Sequence, residues 1–399
     1  MIRIKPYFLK SGEPMIRNND FTLEYIGDTP CLLTHGQSAA DRKKSLFLND
    51  TGVFIWNLLS KDLTIEEIFD SCYKHFEIDE ADRPDAKRSI QSFMDSLCYS
   101  GMVIDTDFYK KLKLKKYVSM NIAGICVNLF GKEELFDDSF MSFADDEYTC
   151  SADKTQNIYV YHIAPVIHKS GELIIRDKEV SVIKTCDKYI LIFPLWEHVD
   201  ELHISPDGQK VSVFVKDTDN AKEEVFWAIR HAFLYMARIH NLFAIHSVSV
   251  EYDHKALLFS AGSGIGKSTH AALWNRLYGV RQINGDLNLL GKGDDGKIYA
   301  YGMPWCGTSG IYEAKDYELR GIVLLRQDPQ NFVSHLQPEA KALAIMNRII
   351  SPMWNSEMSL SVIRFAQEVS ADYPVWNYSC NTSDDAAAFI KSQIDSTTA

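Results

Sequence analysis

The stretch FSAGSGIGKST, residues 259–269, decides how this chain is read. It overlaps the apolar run KALLFS, Lys255–Ser260, whose length suits a buried strand, and it opens KSTHAALWNRL, Lys267–Leu277, whose apolar spacing is helical. In a glycine-rich loop between a strand and a helix, the backbone N–H groups of Gly262, Ser263, Gly264, Ile265 and Gly266 can converge on an anion. The positive end of the helix adds to that attraction. Lys267 would then reach the β and γ phosphates of a nucleotide, Ser268 would ligate Mg²⁺, and Thr269 would add a second hydroxyl. Against the pattern GxxxxGK[ST], Ala261 stands where the first glycine would be, which a negative φ tolerates. A glycine-rich turn that holds nothing is the bland alternative, and the strand–loop–helix context weighs against it.

A phosphate-binding loop does not by itself name a reaction, so its neighbours matter. Upstream, FAIHSVSVEY places His246 at the start of a strand that returns through a tight turn at Asp253–His254 into KALLFS. Downstream, QINGDLNLL places Asp286 at a bend within another apolar run, about twenty residues after Lys267. A carboxylate there can serve as general base or as a metal ligand alongside Ser268. His246 alone reads as a structural histidine; beside Asp286 and the loop it becomes a partner that tunes the base. GMPWCGTSG, Gly302–Gly310, reads as a loop that positions an acceptor, with Trp305 and Cys306 exposed. A β-turn around a buried tryptophan is the alternative, and Cys306 as a covalent nucleophile ranks below both. Lys255, Arg230 and Arg320 could each approach phosphate.

The 399 residues, 46% hydrophobic and 12% aromatic, suffice for two or three domains with real cores. A net charge of −12 argues against a general nucleic-acid binder, which needs cations to displace phosphate counterions. No apolar run approaches the roughly 20 residues of a membrane span, and no N-terminal stretch resembles a signal peptide, so the cytoplasm is the expected compartment. The eight cysteines form no CxxC pair and are expected to be reduced thiols. Residues 1–109 read as one unit: short strands in FTLEYIG, CLLTHG and SLFLN, then three helices. Asn49 or Asp50 caps the first helix, Thr64 with Glu67 makes a capping box for the second, and Gly101 ends the third, a winged-helix-like order. Residues 110–117, rich in lysine, read as a linker, and 118–241 as a β-rich part closed by the helix EEVFWAIRHAFLYMARIH. Residues 242–399 alternate strands with helices, as in an α/β domain.

His246–Ser247, LLFSAGSGIGKSTHAALW, INGD and YAYGMPWCGTSG together resemble the HPr kinase/phosphorylase superfamily, in particular its branch of serine kinases from lasso-peptide clusters. The resemblance covers about residues 118–395 and is strongest over 240–312. It implies an α/β P-loop domain that binds ATP through Gly262, Gly264, Gly266, Lys267 and Ser268, with His246 before the loop and Asp286 as base on a substrate hydroxyl. That family usually has two adjacent aspartates at the last position, where this chain has Gly285 before Asp286. LNDTGVFIWNLL, LTIEEIF and SFMDSLCYSGMV resemble PqqD-like precursor-recognition domains over about residues 20–105. That resemblance implies a leader peptide held as an added strand in a groove between SLFLN, around Leu46 and Leu48, and the helix at 86–99. The two together imply phosphorylation of a ribosomally made precursor peptide, and leave open a homo-oligomer like those HPr kinases form. A nucleotide-dependent peptide-binding module and a small-molecule P-loop kinase remain alternatives.

Overall fold

The computed structural model describes residues 16–18, 21–35, 39, 45–61, 63–104, 114–162, 171–185, 188–216, 220–262 and 264–397. Ser263 and residues 110–113 of the lysine-rich stretch lie outside them. The chain divides into two compact units, Met1–Leu114 with His162–Glu172 and Phe214–Lys216, and Lys115–Tyr161 with Leu173–Val213 and Asp217–Ala399.

In the first unit β1 (Ile16–Arg17), β2 (Phe21–Ile26), β3 (Thr29–Thr34) and β4 (Leu46–Phe47) precede α1 (Asp50–Leu58), α2 (Ile65–His75) and α3 (Arg83–Tyr99). β5 (Val103–Ile104) returns to pair with β1, while β2, β3 and β4 form an antiparallel sheet. α1 and α2 start where short polar side chains satisfy free N–H groups. Asn49 accepts from the Gly52 N–H at 2.9 Å, and Thr64 and Glu67 form a reciprocal capping box on α2. Leu32, Ile55, Trp56, Ile68 and Met94 fill the core. Leu48 belongs to that core at 7% exposure, so it does not line a groove as the sequence suggested, whereas Phe47 is 64% exposed. Successive residues of an extended chain face opposite ways, so one goes in and the next stays out.

The β-rich segment contains β6 (Lys116–Ile122), β7 (Ile125–Phe130), β8 (Thr155–Tyr161), β9 (Glu172–Arg176), β10 (Ser181–Lys184), β11 (Tyr189–Ile192), β12 (Val199–Ile204) and β13 (Lys210–Val215). They form one sheet in the order β6-β7-β8-β13-β12-β11-β10-β9. Cys126 on β7 and Cys150 are joined by a disulfide, where reduced thiols were expected. The parallel pairing of β7 with β8 brings the chain just before β8 alongside β7, and the two Cα atoms are 5.8 Å apart.

After α4 (Lys222–Ile239) come β14 (Phe243–His246), β15 (Val248–Tyr252), β16 (Lys255–Ser260), α5 (Lys267–Tyr278), β17 (Gln282–Asn284), β18 (Leu287–Lys292), β19 (Ile298–Tyr301) and β20 (Tyr317–Gln327). β21 (Phe332–Ser334), α6 (Pro338–Met346), α7 (Ser356–Asp372), β22 (Val375–Cys380) and α8 (Asp384–Ser396) follow. β16 and β22 flank β20 in parallel. Leu258, Ile322 and Leu324 enter one core with Val362 and Phe365 of α7, and Leu257, Phe259, Val323 and Leu325 enter another with Trp274 of α5 and Ile390 of α8. A strand covered on both faces has no polar side to show, which is why KALLFS is nearly unbroken in apolar residues. The β15–β16 hairpin turns at Asp253 and His254, both with positive φ (52° and 62°).

α4 carries Phe226 and Phe233 against Trp305, with ring centroids 6.0 and 5.2 Å apart, and the Trp305 indole N–H donates to the Phe226 carbonyl at 3.1 Å. Trp305 is therefore fully buried and Cys306 7% exposed, correcting the expectation that both lie at the surface. Trp305→Ala should cost about 3–5 kcal/mol through the lost burial and the remaining cavity, and Trp305→Phe less. Urea unfolding midpoints of the full chain check this; equal midpoints for wild type and Trp305→Ala would contradict the packing.

Candidate active site

Three backbone segments converge at the end of β16. His246 ends β14 rather than opening the next strand, because the chain breaks at Ser247 before β15 begins. The Ser247 N–H donates to the Asp286 carbonyl at 2.9 Å, and the Ser260 hydroxyl at the end of β16 donates to the His246 carbonyl at 2.7 Å. Between β17 and β18 the buried Asn284 organises the turn. Its Oδ1 accepts from the N–H groups of Asp286 and Leu287, both at 3.0 Å, and its Nδ2 donates to the carbonyls of Met303 and Trp305 at 3.4 and 3.3 Å. This is an Asx turn, in which a side chain satisfies the backbone that a bend exposes.

His246 Nε2 lies 3.2 Å from Asp286 Oδ1, each side chain a little over one-third exposed. Chiefly through the His246 hydrogen bond, and with the charges of His246, Lys267 and Arg230, the Asp286 carboxyl is held below the usual carboxylate range, against the opposing effect of burial. Lys267 is 9% exposed, and its ammonium donates to the Ala261 carbonyl at 3.4 Å. Burial lowers its pKa, while the Asp286 charge acts to raise it. In the loop, Gly264 and Gly266 have φ of 74° and 113°, which side chains resist, whereas Ala261 keeps φ outside the left-handed region. Ser268 and Thr269 are exposed in the first turn of α5, and Ile265 and Gly266 are half-buried.

The segment 302–310 packs directly on this turn. A Cβ at Gly307, whose φ is 62°, would come within 2.8 and 2.9 Å of Asp286 Cβ and Cγ. A side chain at Gly285 would collide with Ser309, whose hydroxyl donates to the Cys306 carbonyl at 2.7 Å and accepts from the Ile311 N–H at 3.1 Å. The space where a first aspartate of a pair would project thus holds a serine. Cys306 is a poor nucleophile, since burial pushes its thiol up.

Of the three cations considered from sequence, Arg230 is near enough to Asp286 for the two charges to interact. Lys255 pairs with Glu318 at the other end of β16, and Arg320 donates to the Ile394 carbonyl at 3.1 Å. Sequence reading missed Arg348, whose guanidinium is 4.0 Å from where a Gly262 Cβ would stand and whose carbonyl accepts the His246 N–H at 2.8 Å. It lies some eighty residues beyond the loop in an irregular segment, and no motif announces it. Asn284 was within the quoted INGD, but its role is visible only once the turn is built.

Residues 39–103 match the family model for PqqD, described as coenzyme PQQ synthesis protein D. The solved structure of the Hpr(Ser) kinase/phosphatase from Coxiella burnetii is similar to 31% of this chain, over 88% of its own, at 12% identity and a TM-score of 0.17. No curated protein matches the chain. Among the described residues no helix is long and apolar enough to cross a membrane.

Because the folded pKa of Asp286 is depressed, its stabilising contribution is present above the unfolded value near 3.9 and is lost as pH falls through the lower folded value. Carboxyl NMR titration should place Asp286 below 3.8 in the wild type and nearer 3.8 in His246→Ala. A wild-type midpoint at or above 3.8 would remove His246 as its partner. Gly307→Ala should shift the same carboxyl resonance while leaving the fold intact by circular dichroism.

Proposed function

We propose that the chain is an Mg²⁺- and ATP-dependent kinase that phosphorylates a hydroxyl, serine in the first instance, of a ribosomally made precursor peptide. The observation that carries this reading is the placement of Asp286, hydrogen-bonded to His246, within electrostatic reach of the lysine that follows a glycine-rich loop. Residues 242–399 are read as a P-loop domain of the HPr kinase type, 118–241 as its β-rich companion, 110–117 as a linker, and 1–109 as a winged-helix-like domain that binds the leader.

The loop suits a phosphate. Among the described residues, a Cβ at Gly264 or Gly266 would meet nothing within 4 Å, so the backbone is open to close approach, and no side chain caps the N-terminus of α5. Gly262 to Gly266 would cradle the phosphates, with Lys267 and Arg348 offsetting their charge. Among the described residues no cluster of three or more His, Cys, Asp or Glu could hold a metal ion. Mg²⁺ fits all the same, because it keeps waters and takes one or two protein ligands beside phosphate oxygens, here Ser268 and Asp286. The metal, when bound, would neutralise charge on the phosphates. In transfer the acceptor oxygen bonds to the γ-phosphorus, the bond to the β,γ-bridging oxygen breaks, and the hydroxyl proton passes to Asp286, whose depressed pKa keeps it ready as carboxylate. His246 orients that carboxylate, and Arg230 adds positive charge nearby.

The PqqD match supports the peptide partner. β4 is the edge of its sheet and shows Phe47 to solvent, so a leader could extend the sheet there beside α3. Tethering raises the core peptide to roughly millimolar effective concentration, which makes a weak acceptor site adequate.

Incubation of the protein and Mg-ATP with peptides encoded beside its gene, followed by intact-mass measurement, should show one added phosphate. Lys267→Ala should abolish the gain. Asp286→Asn should keep nucleotide affinity and lose about 10²–10⁴ in rate. Phe47→Asp should raise KM for leader-bearing peptide and leave leaderless peptide unaffected. Nucleotide binding with no mass gain on any such peptide would favour the binding module or a small-molecule kinase.

A further inference from the structure

A pocket of about 290 Å³ lies between α4 and the loops around β10 and β11. Phe193, Trp196 and Trp227 give it aromatic faces, and Glu179, Arg230 and His231 give it polar groups. Its walls are pinned. The Glu224 carboxylate of α4 accepts from the N–H groups of Glu197, His198 and Val199 at 2.8, 2.8 and 2.7 Å, which fixes the segment that carries Trp196. Asp177 Oδ1 accepts from the N–H groups of Glu179 and Val180 at 2.6 and 2.8 Å on another side. Phe193 and Trp196 stack with centroids 3.8 Å apart, and the Arg230 guanidinium lies over the Trp227 ring at 4.4 Å. A site so held needs little ordering when something binds.

Position and chemistry together restrict the occupant. Arg230 falls between Phe226 and Phe233 on the stripe of α4 that packs on Trp305, and the loop carrying Trp305 leans through Gly307 on Asp286. The pocket therefore adjoins the place where an acceptor hydroxyl would meet the base. Its volume is at the lower end for small-molecule sites and suits one large side chain. Arg230 and Glu179 offset each other in charge, and burial drives the His231 imidazole down to about 3, so it is neutral at physiological pH. Neither an anionic nor a cationic group gains from such walls, and the aromatic faces remain to be matched. Leu195, 67% exposed, extends them at the rim.

We propose that this pocket receives an aromatic or large aliphatic side chain of the acceptor peptide, at a position flanking the hydroxyl that is modified. The assignment rests on the kinase reading for the identity of its ligand. It sets specificity by burial, the interaction that discriminates side-chain size most directly.

The test uses the full chain with Mg-ADP and short N-acetylated peptides in which one serine is flanked by Ala, Leu, Phe, Trp, Lys or Glu, with affinity measured by calorimetry. Phe or Trp at one flanking position should bind on the order of 10- to 100-fold tighter than Ala. Trp196→Ala and the rim variant Leu195→Glu should each erase that preference and leave ADP affinity unchanged. Equal binding of all peptides, no saturable binding in the millimolar range, or a preference that survives both variants would overturn the proposal. Loss of ADP affinity in both variants would also overturn it, by giving the pocket to the nucleobase. Binding is read whether or not phosphate moves, so tight aromatic peptides that are never phosphorylated with ATP would refute the kinase reading and leave the pocket standing.

Discussion

The side-chain amide of Asn284 is the joint on which the rest of this site depends. With one oxygen it closes the turn that presents Asp286, and with one nitrogen it holds the carbonyls of Met303 and Trp305. An amide can do this because it offers acceptor and donor from one planar group; an aspartate there would set a charge against two carbonyls. The turn is anchored from behind by the Ser247 N–H, and His246 is anchored by Ser260 and by the Arg348 carbonyl. The carboxylate and the imidazole are therefore placed by backbone bonds more than by each other.

This arrangement joins parallel and antiparallel pairings within one mixed sheet. β16 and β20, buried on both faces, give the glycine-rich loop a rigid base, while β14 and β18 bring the charged side chains to its side. α4 extends the connection into the β-rich segment through Phe226, Phe233 and Trp305, so residues far apart in sequence share one packed block. The loop's two left-handed glycines store little strain, since glycine adopts that backbone freely.

Most of the elements were legible from local pattern. KALLFS and KSTHAALWNRL became β16 and α5 because periodicity and a glycine-rich break speak for themselves, and Thr64 with Glu67 announced α2. Asp286 was placed at a bend for the same reason. What escaped depends on long-range packing. Trp305 is flanked by glycines and proline that read as surface, yet three phenylalanines from other segments bury it. Leu48 reads like a groove residue until α1 and α3 close over it. The Cys126–Cys150 pairing needs β7 beside the chain before β8, which spacing cannot reveal. Arg348 carries no signal until the sheet brings it to Gly262.

The serine that fills the space over Gly285 limits the groups this turn can offer. Two adjacent carboxylates can divide labour, one anchoring a cation while the other activates water or inorganic phosphate. Here a neutral hydroxyl, already engaged with Cys306 and Ile311, occupies the second place and has no spare basicity to lend. The turn between β17 and β18 offers Asp286 as its carboxylate. Under the reading proposed above, such a turn lacks the second carboxylate on which attack by water or inorganic phosphate would call.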